Sequence, residues 1–165
     1  MTNFMKKTKI LVTGGCGFIG ANFIIKLLSH KFDIVVIDDL STGLKKNLDV
    51  IKKNTKKNNI NFFFYKYDLC DKKKLAHIFK NHNFDFIFHF AAYSSVKQSL
   101  ENPNKVIRNN LNSTKNLIFY KNKYKIKRFI FSSSASIYGN IKFKKKIKET
   151  SLTNPINAYG HSKLL

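Results

Sequence analysis

The sequence predicts an α/β protein built on a doubly wound parallel sheet, and three observations predict it. Short apolar runs alternate with longer segments of helical spacing. The runs are apolar at every residue rather than every second one, the pattern of strands buried on both faces. Glycines crowd the junction between the first run and the first helix. Right-handed crossovers between parallel strands then set the winding. At 165 residues the chain is long enough for one domain with a real core.

Each element can be justified in turn. The first strand covers 9–13. The segment 18–30 has helical spacing at Phe18, Asn22, Phe23, Leu27 and Leu28. A second strand, 33–38, is centred on Ile34-Val35-Val36-Ile37, and a turn follows over 39–43. A helix is predicted from 48 to 57, a third strand over 61–67, and a helix over 71–81 with Leu75, Ile78 and Phe79 on one face. The fourth strand is 84–90. A long helix over 104–120 is expected to turn Ile107, Leu111, Thr114 and Ile118 inward, ahead of a fifth strand at 128–132. The lysine-rich stretch 142–148 reads as a solvated loop, and Pro155 as the start of a last helix. There is no internal repeat.

The net charge of +22 comes almost entirely from lysine, since Arg108 and Arg128 are the only arginines. Base-reading proteins favour the arginine fork, and these lysines are scattered, so the expectation is no nucleic-acid partner. A drift toward A/T-rich codons yields the same profile. The charge still attracts anionic ligands. Cys16 and Cys70 form no C-x-x-C pair, which suits a reducing compartment. The first nine residues lack an apolar signal core, and no run is long enough to cross a bilayer. A soluble, cytoplasmic protein without a membrane partner is expected.

Two motifs carry chemistry. Gly14-Gly15-Cys16-Gly17-Phe18-Ile19-Gly20 follows a strand and opens a helix, the context in which a glycine pattern signals a phosphate loop. Gly14 permits the tight turn, Gly17 lets backbone approach a pyrophosphate, and Gly20 lets the helix pack on the strand. The N–H groups of Phe18 and Ile19 then face the anion. Asp38 ends the second strand, where a carboxylate accepts hydrogen bonds from ribose hydroxyls and repels a 2′-phosphate. This Rossmann pattern favours NAD over NADP, although Lys45 and Lys46 stand nearby in sequence.

The second motif is Tyr159-x-x-x-Lys163. Phenols ionise near pH ~10 in water, so a tyrosine acting as a base needs a neighbouring cation. Lys163 lies one helical turn on, on the same face. Tyr159 could then take a proton from a sugar hydroxyl as hydride leaves the same carbon. The fifth strand ends in Ser132-Ser133-Ser134-Ala135-Ser136, and Ser134 could bond the reacting oxygen. His77 and His82 lack metal-ligand spacing, and His89 reads as a packed residue. No metal site is expected.

These residues, in this order, resemble the NAD-dependent epimerase/dehydratase family, the extended short-chain dehydrogenases. The resemblance runs from Thr13-Gly14-Gly15-Cys16-Gly17-Phe18-Ile19-Gly20 through Asp38-Asp39-Leu40-Ser41-Thr42-Gly43, Asp68-Leu69, His89-Phe90-Ala91-Ala92 and Asn109-Asn110-Leu111-Asn112-Ser113-Thr114. It continues through Phe131 to Gly139 and Tyr159-Gly160-His161-Ser162-Lys163. Within the family the UDP-sugar 4-epimerases are most similar. The resemblance implies that Asp38 and Asp39 sit at the adenosine ribose and that Asp68 and Leu69 flank the adenine. It further implies that Phe90, Ala91 and Ala92 line the cofactor channel with Asn109 nearby. Ser134 and Tyr159 would be the catalytic pair, and Lys163 would hold the nicotinamide ribose.

Dehydratases of this fold place acidic residues after the strand-five serines, where this chain has Ala135 and Ser136. That favours simple oxidation and re-reduction at C4 of a UDP-sugar. The segment Ser41-Thr42-Gly43 with Asn47-Leu48-Asp49 looks similar to epimerases of N-acetylated or uronic sugars. Ser113 stands where the family usually has glycine. By resemblance, 1–165 would be the NAD-binding Rossmann domain, with the sheet incomplete at its C-terminal side and the substrate domain absent. Such a chain is expected to be incompetent alone. In full-length members of the family the resemblance implies a homodimer whose interface is formed by the long helix and the Tyr159 helix, half of which this chain would lack. A dehydratase or reductase of the same fold, and a non-catalytic NAD-binding remnant, remain open.

Overall fold

The computed structural model describes residues 7–140 and 146–165. The chain divides into two compact units, Met1–Ala91 with Asn116–Phe131, and Ala92–Lys115 with Ser132–Leu165.

The first unit holds a five-stranded sheet of order β3-β2-β1-β4-β5. Its strands are β1 (Lys9–Thr13), β2 (Asp33–Ile37), β3 (Phe62–Tyr65), β4 (Phe86–His89) and β5 (Arg128–Phe131). All four pairings are parallel. Helices α1 (Phe18–Leu27) and α2 (Lys45–Lys57) contribute Ile24 and Ile51 to a core with Ile10, Val12, Ile34 and Val36. A second core sets Leu11, Val35, Ile37 and Ile87 against Leu75, Ile78 and Phe79 of α3 (Lys72–Asn81), with Leu117 and Tyr120 from the end of α5 (Pro103–Lys123). Alternate residues of one strand thus feed opposite cores. This is why the strands read as unbroken apolar runs, and it confirms the doubly wound α/β reading. The order turns back between β1 and β4, so their carboxyl ends form the switch point where ligands bind in such sheets.

The second unit holds α4 (Val96–Glu101), the first part of α5, a 3-10 turn over Ala135–Tyr138, and α6 (Ala158–Leu164). Asn157 caps α6 by accepting from the Gly160 N–H at 2.7 Å. Pro155 therefore does not open that helix. It lies buried ahead of the cap, where a Cβ on Gly160 would come within 3.0 Å of its ring.

Other boundaries move for local reasons. Helix α2 begins at Lys45 rather than 48, because Leu44 O already accepts from Asn47 N at 2.9 Å. Its first residues are polar and hide the start from a hydropathy reading. Helix α4 and the 3-10 turn are too short for periodicity to reveal. Of the lysine-rich stretch, 142–145 lie outside the described residues, and 146–148 are exposed and irregular.

The inward face of α5 also differs from expectation. The buried residues are Val106, Asn110, Ser113, Asn116, Leu117 and Tyr120, while Ile118 is 41% exposed. Ile107, Leu111 and Thr114 are only partly buried. The buried face is selected by hydrogen bonds as much as by apolarity. Asn116 Nδ2 donates to Leu69 O at 2.9 Å, and Tyr120 OH donates to Lys72 O at 3.0 Å. Leu117→Ala is expected to cost about 3 kcal/mol in urea unfolding, and Ile118→Ala under about 1 kcal/mol. Equal losses would restore the face read from hydropathy.

Candidate functional site

The phosphate-loop candidates lie together at the β1 carboxyl end. Gly14 has φ +68°, and a Cβ there would stand 2.6 Å from the Ala91 nitrogen. A Cβ on Gly15 would stand 2.6 Å from Val36 Cγ1, and one on Gly20 would run into Gly14 O. The protein's own packing demands these three glycines. Gly17 is different, because its nearest neighbour would be Gly14 O at 3.3 Å. Its missing side chain leaves space on the outer side of the loop, as a pyrophosphate requires. No side chain caps α1 at Gly17. The first N–H groups of the helix, those of Phe18 and Ile19, have no acceptor within it. Both side chains are exposed. The loop therefore fits a dinucleotide phosphate.

Asp38 is buried at the end of β2. Its Oδ2 accepts from Cys16 N at 2.8 Å and its Oδ1 from Leu40 N at 2.9 Å. Burial pushes the carboxyl above its ordinary range, and these two N–H donors oppose the rise. Each oxygen retains a lone pair for a further donor. Cys16 is wholly buried, and burial beside the Asp38 carboxylate pushes its thiol up to about 12. Asp39 Oδ1 accepts from Ser41 N, and Asp68 Oδ1 accepts from Cys70 N, each at 2.8 Å in a tight turn. Leu69 buries its side chain in the core.

At the β4 end, Phe90 N donates to Thr13 O, and Phe90 packs on Phe23 with ring centroids 5.2 Å apart. The Ala91 backbone lies against Gly14. His89 is 1% exposed and meets Thr13 Oγ1 through Nδ1 at 2.7 Å, which matches its reading as a packed residue. Among the described residues no three His, Cys, Asp or Glu side chains cluster as metal ligands.

The second unit assembles the rest. Ser134 Oγ accepts from Ser136 N at 3.1 Å and donates to Ser136 Oγ at 3.2 Å. The 3-10 turn packs on α6 so closely that a Cβ on Gly160 would stand 2.6 Å from Ser136 O. Tyr159 and Lys163 share α6, with Lys163 Nζ 5.9 Å from the Tyr159 ring centroid. That ammonium donates to Ser132 O at 2.9 Å and is 7% exposed. Burial lowers it from 10.5 to about 8. Asn109 is half-buried on α5, and Ala92 begins the segment ahead of α4.

Sequence reasoning passed over Asn110, the neighbour of Asn109. Asn110 is buried, accepts from Tyr93 N at 2.8 Å, and donates to Tyr93 O at 3.1 Å and Ser162 Oγ at 2.9 Å. Ser162 in turn donates to Tyr159 O at 2.7 Å. Asn110 thus ties the helix of Tyr159 to α5 and to the segment after β4. The one available signal was an asparagine at a position whose helical neighbours Val106 and Leu117 are apolar.

Two outcomes follow from the buried groups. Below pH 8 the protein holds a buried cation at Lys163 that the unfolded chain holds in water. The unfolded state binds more protons between about 8 and 10.5, so this group's contribution to stability rises with pH across that window. Relative to Lys163→Met, the wild type should gain about 2–3 kcal/mol between pH 7 and 10 by denaturant titration. A pH-independent difference would contradict this. Cys16 should react with a thiol reagent at pH 8 at least 100-fold more slowly in the native protein than in urea. Equal rates would mean that the loop opens.

Comparison with known proteins places this geometry. Residues 11–165 match the family model described as GDP-mannose 4,6 dehydratase. The UDP-glucose 4-epimerase of Lacticaseibacillus casei is 38% identical over 94% of this chain and 44% of its own length. That of Bacillus subtilis is 36% identical over 94% of this chain and 45% of its own. Among solved structures, the UDP-Glc/GlcNAc 4-epimerase of Campylobacter jejuni aligns with a TM-score of 0.85 at 38% identity, over 95% of this chain and 46% of that one. The UDP-glucose 4-epimerase of Bifidobacterium longum, solved with NAD+ and UDP, aligns with a TM-score of 0.85 at 34% identity, over 95% and 46%. The chain spans less than half the length of these relatives. Among the described residues no helix is long and apolar enough to cross a membrane.

Proposed function

We propose, since this chain belongs to the GDP-mannose 4,6 dehydratase family, that it carries the cofactor-binding and proton-transfer residues of a UDP-sugar 4-epimerase. The observation that supports this most is a buried amine, Lys163, seated on the Ser132 carbonyl one helical turn from Tyr159, in a helix packed on the Ser134 turn. A lysine is buried at such cost only where its charge or its bond is used.

Each residue then has a task. The first-turn amides of α1 at Phe18 and Ile19 bind the pyrophosphate, and Gly17 gives it room. Asp38 accepts from the adenosine ribose hydroxyls, with Asp39 beside it. Asp68 and Leu69 flank the adenine, and Phe90, Ala91 and Ala92 line the cofactor channel with Asn109 near it. NAD, when bound, takes hydride from C4 of the sugar and returns it. Tyr159 removes the C4 hydroxyl proton and later gives it back. Ser134 bonds the same oxygen. Lys163 holds the nicotinamide ribose and supplies the positive charge that favours a phenolate.

The named relatives act on UDP-glucose or UDP-GlcNAc, and a UDP-sugar is the substrate class proposed. Ala135 and Ser136 offer no acid–base pair for eliminating water, which sets the epimerase reading above the dehydratase chemistry named in the family model. A homodimer through α5 and α6 belongs to the same proposal.

The test supplies the full-length protein with NAD and UDP-galactose or UDP-N-acetylgalactosamine, and follows products by NMR. The expected product is the C4 epimer, with turnover falling at least ~10³-fold in Tyr159→Phe. A 4-keto-6-deoxy product would replace this reading with dehydration. NADH retention without turnover of any UDP-sugar would replace it with a binding role.

A further inference from the structure

The phosphate loop of the first unit is not free-standing. The two peptides that meet at Cys16 are both held by one segment, 38–47. Cys16 N donates to Asp38 Oδ2 at 2.8 Å. Cys16 O accepts from Leu44 N at 3.0 Å and from Asn47 Nδ2 at 2.8 Å. Gly43 completes the fit, because a Cβ there would stand 2.7 Å from Asp38 Oδ1 and 2.9 Å from the Cys16 Cβ. Asn47 lies in the first turn of α2, where its side chain could have met solvent.

We infer that Asn47 is a positioning residue for dinucleotide binding: its amide fixes the Cys16 carbonyl, and with it the start of α1 that presents the Phe18 and Ile19 amides. The inference rests on the cofactor reading above. The Cys16–Gly17 peptide ends in a glycine, which lowers the barrier to a flip, and its own N–H is held only at 3.1 Å by Gly14 O. A flip at Cys16 would swing a carbonyl toward the site of the pyrophosphate and turn the loop from attractive to repulsive for anions. Two donors on that carbonyl oppose the flip before any ligand arrives, which is preorganisation. Asn47 need not touch the ligand to do this.

The test compares wild type, Asn47→Ala, Asn47→Asp and Asn54→Ala, reading NADH, ADP-ribose and adenosine binding by fluorescence and ligand-observed NMR. Asn54 gives a matched control, since its Nδ2 donates to Val50 O at 2.8 Å on the same helix without reaching the loop. Losing one buried hydrogen bond should weaken NADH and ADP-ribose roughly tenfold in Asn47→Ala. Asn47→Asp, which places a carboxylate beside the Cys16 carbonyl, should weaken them further. Adenosine, which has no pyrophosphate, should bind all four proteins within about twofold, and Asn54→Ala should bind like wild type. A general loss of fold would lower all three ligands together. Unchanged NADH binding in Asn47→Ala, equal losses for adenosine and NADH, or a matching loss in Asn54→Ala would each overturn the inference while leaving the cofactor reading intact. Failure of the wild type to bind NADH would overturn both.

Discussion

No side chain fits at Gly14, and the first unit depends on that. The Ala91 backbone occupies the space a Cβ would need, with its nitrogen 2.6 Å away. Gly15 and Gly20 are closed in the same way, by Val36 and by Gly14 itself. These contacts bring β1, β4 and the start of α1 together at the point where the strand order reverses. A switch point is useful only if backbone amides, rather than side chains, face the crevice. The glycines therefore serve packing first. Gly17 is held less tightly, since a Cβ there would meet only Gly14 O, at 3.3 Å.

Around this point the protein uses buried polar groups rather than more apolar surface. Asp38 joins the end of β2 to the loop, and Asn47 closes the loop from α2. In the second unit Asn110 joins α5, the Tyr93 backbone and Ser162. Each of these side chains would carry a desolvation penalty if unpaired, so each tolerates one arrangement. Lys163 is the extreme case, a buried amine bonded to the Ser132 carbonyl, with burial drawing it down to about 8.

Legibility in the sequence tracked the range of the interaction. The strand cores Ile10 to Val12 and Ile34 to Ile37 were legible, because burial on both faces leaves no polar residue in them. The glycine loop and the Tyr159–Lys163 spacing were legible because each is a local rule of backbone or helix geometry. The inward face of α5 was misread by about one residue. Apolar Ile118 is partly exposed, while Asn110, Ser113 and Asn116 are inside. No periodicity can distinguish an asparagine that reaches a carbonyl forty-seven residues away, as Asn116 does at Leu69, from one that faces water. The start of α2 was missed for the same reason, since Asn47 turns toward Cys16.

By itself the sequence determined the parallel sheet, its winding, the glycine turn after β1 and the family to which the chain belongs. Those follow from hydropathy, glycine placement and short spacings, which act between near neighbours. Only the tertiary structure decided which asparagines are structural, that Ser136 partners Ser134, and that Lys163 sits buried on a carbonyl. These are desolvated polar contacts between distant segments. Their energy depends on who the partner is, and that becomes defined only when the chain has closed on itself.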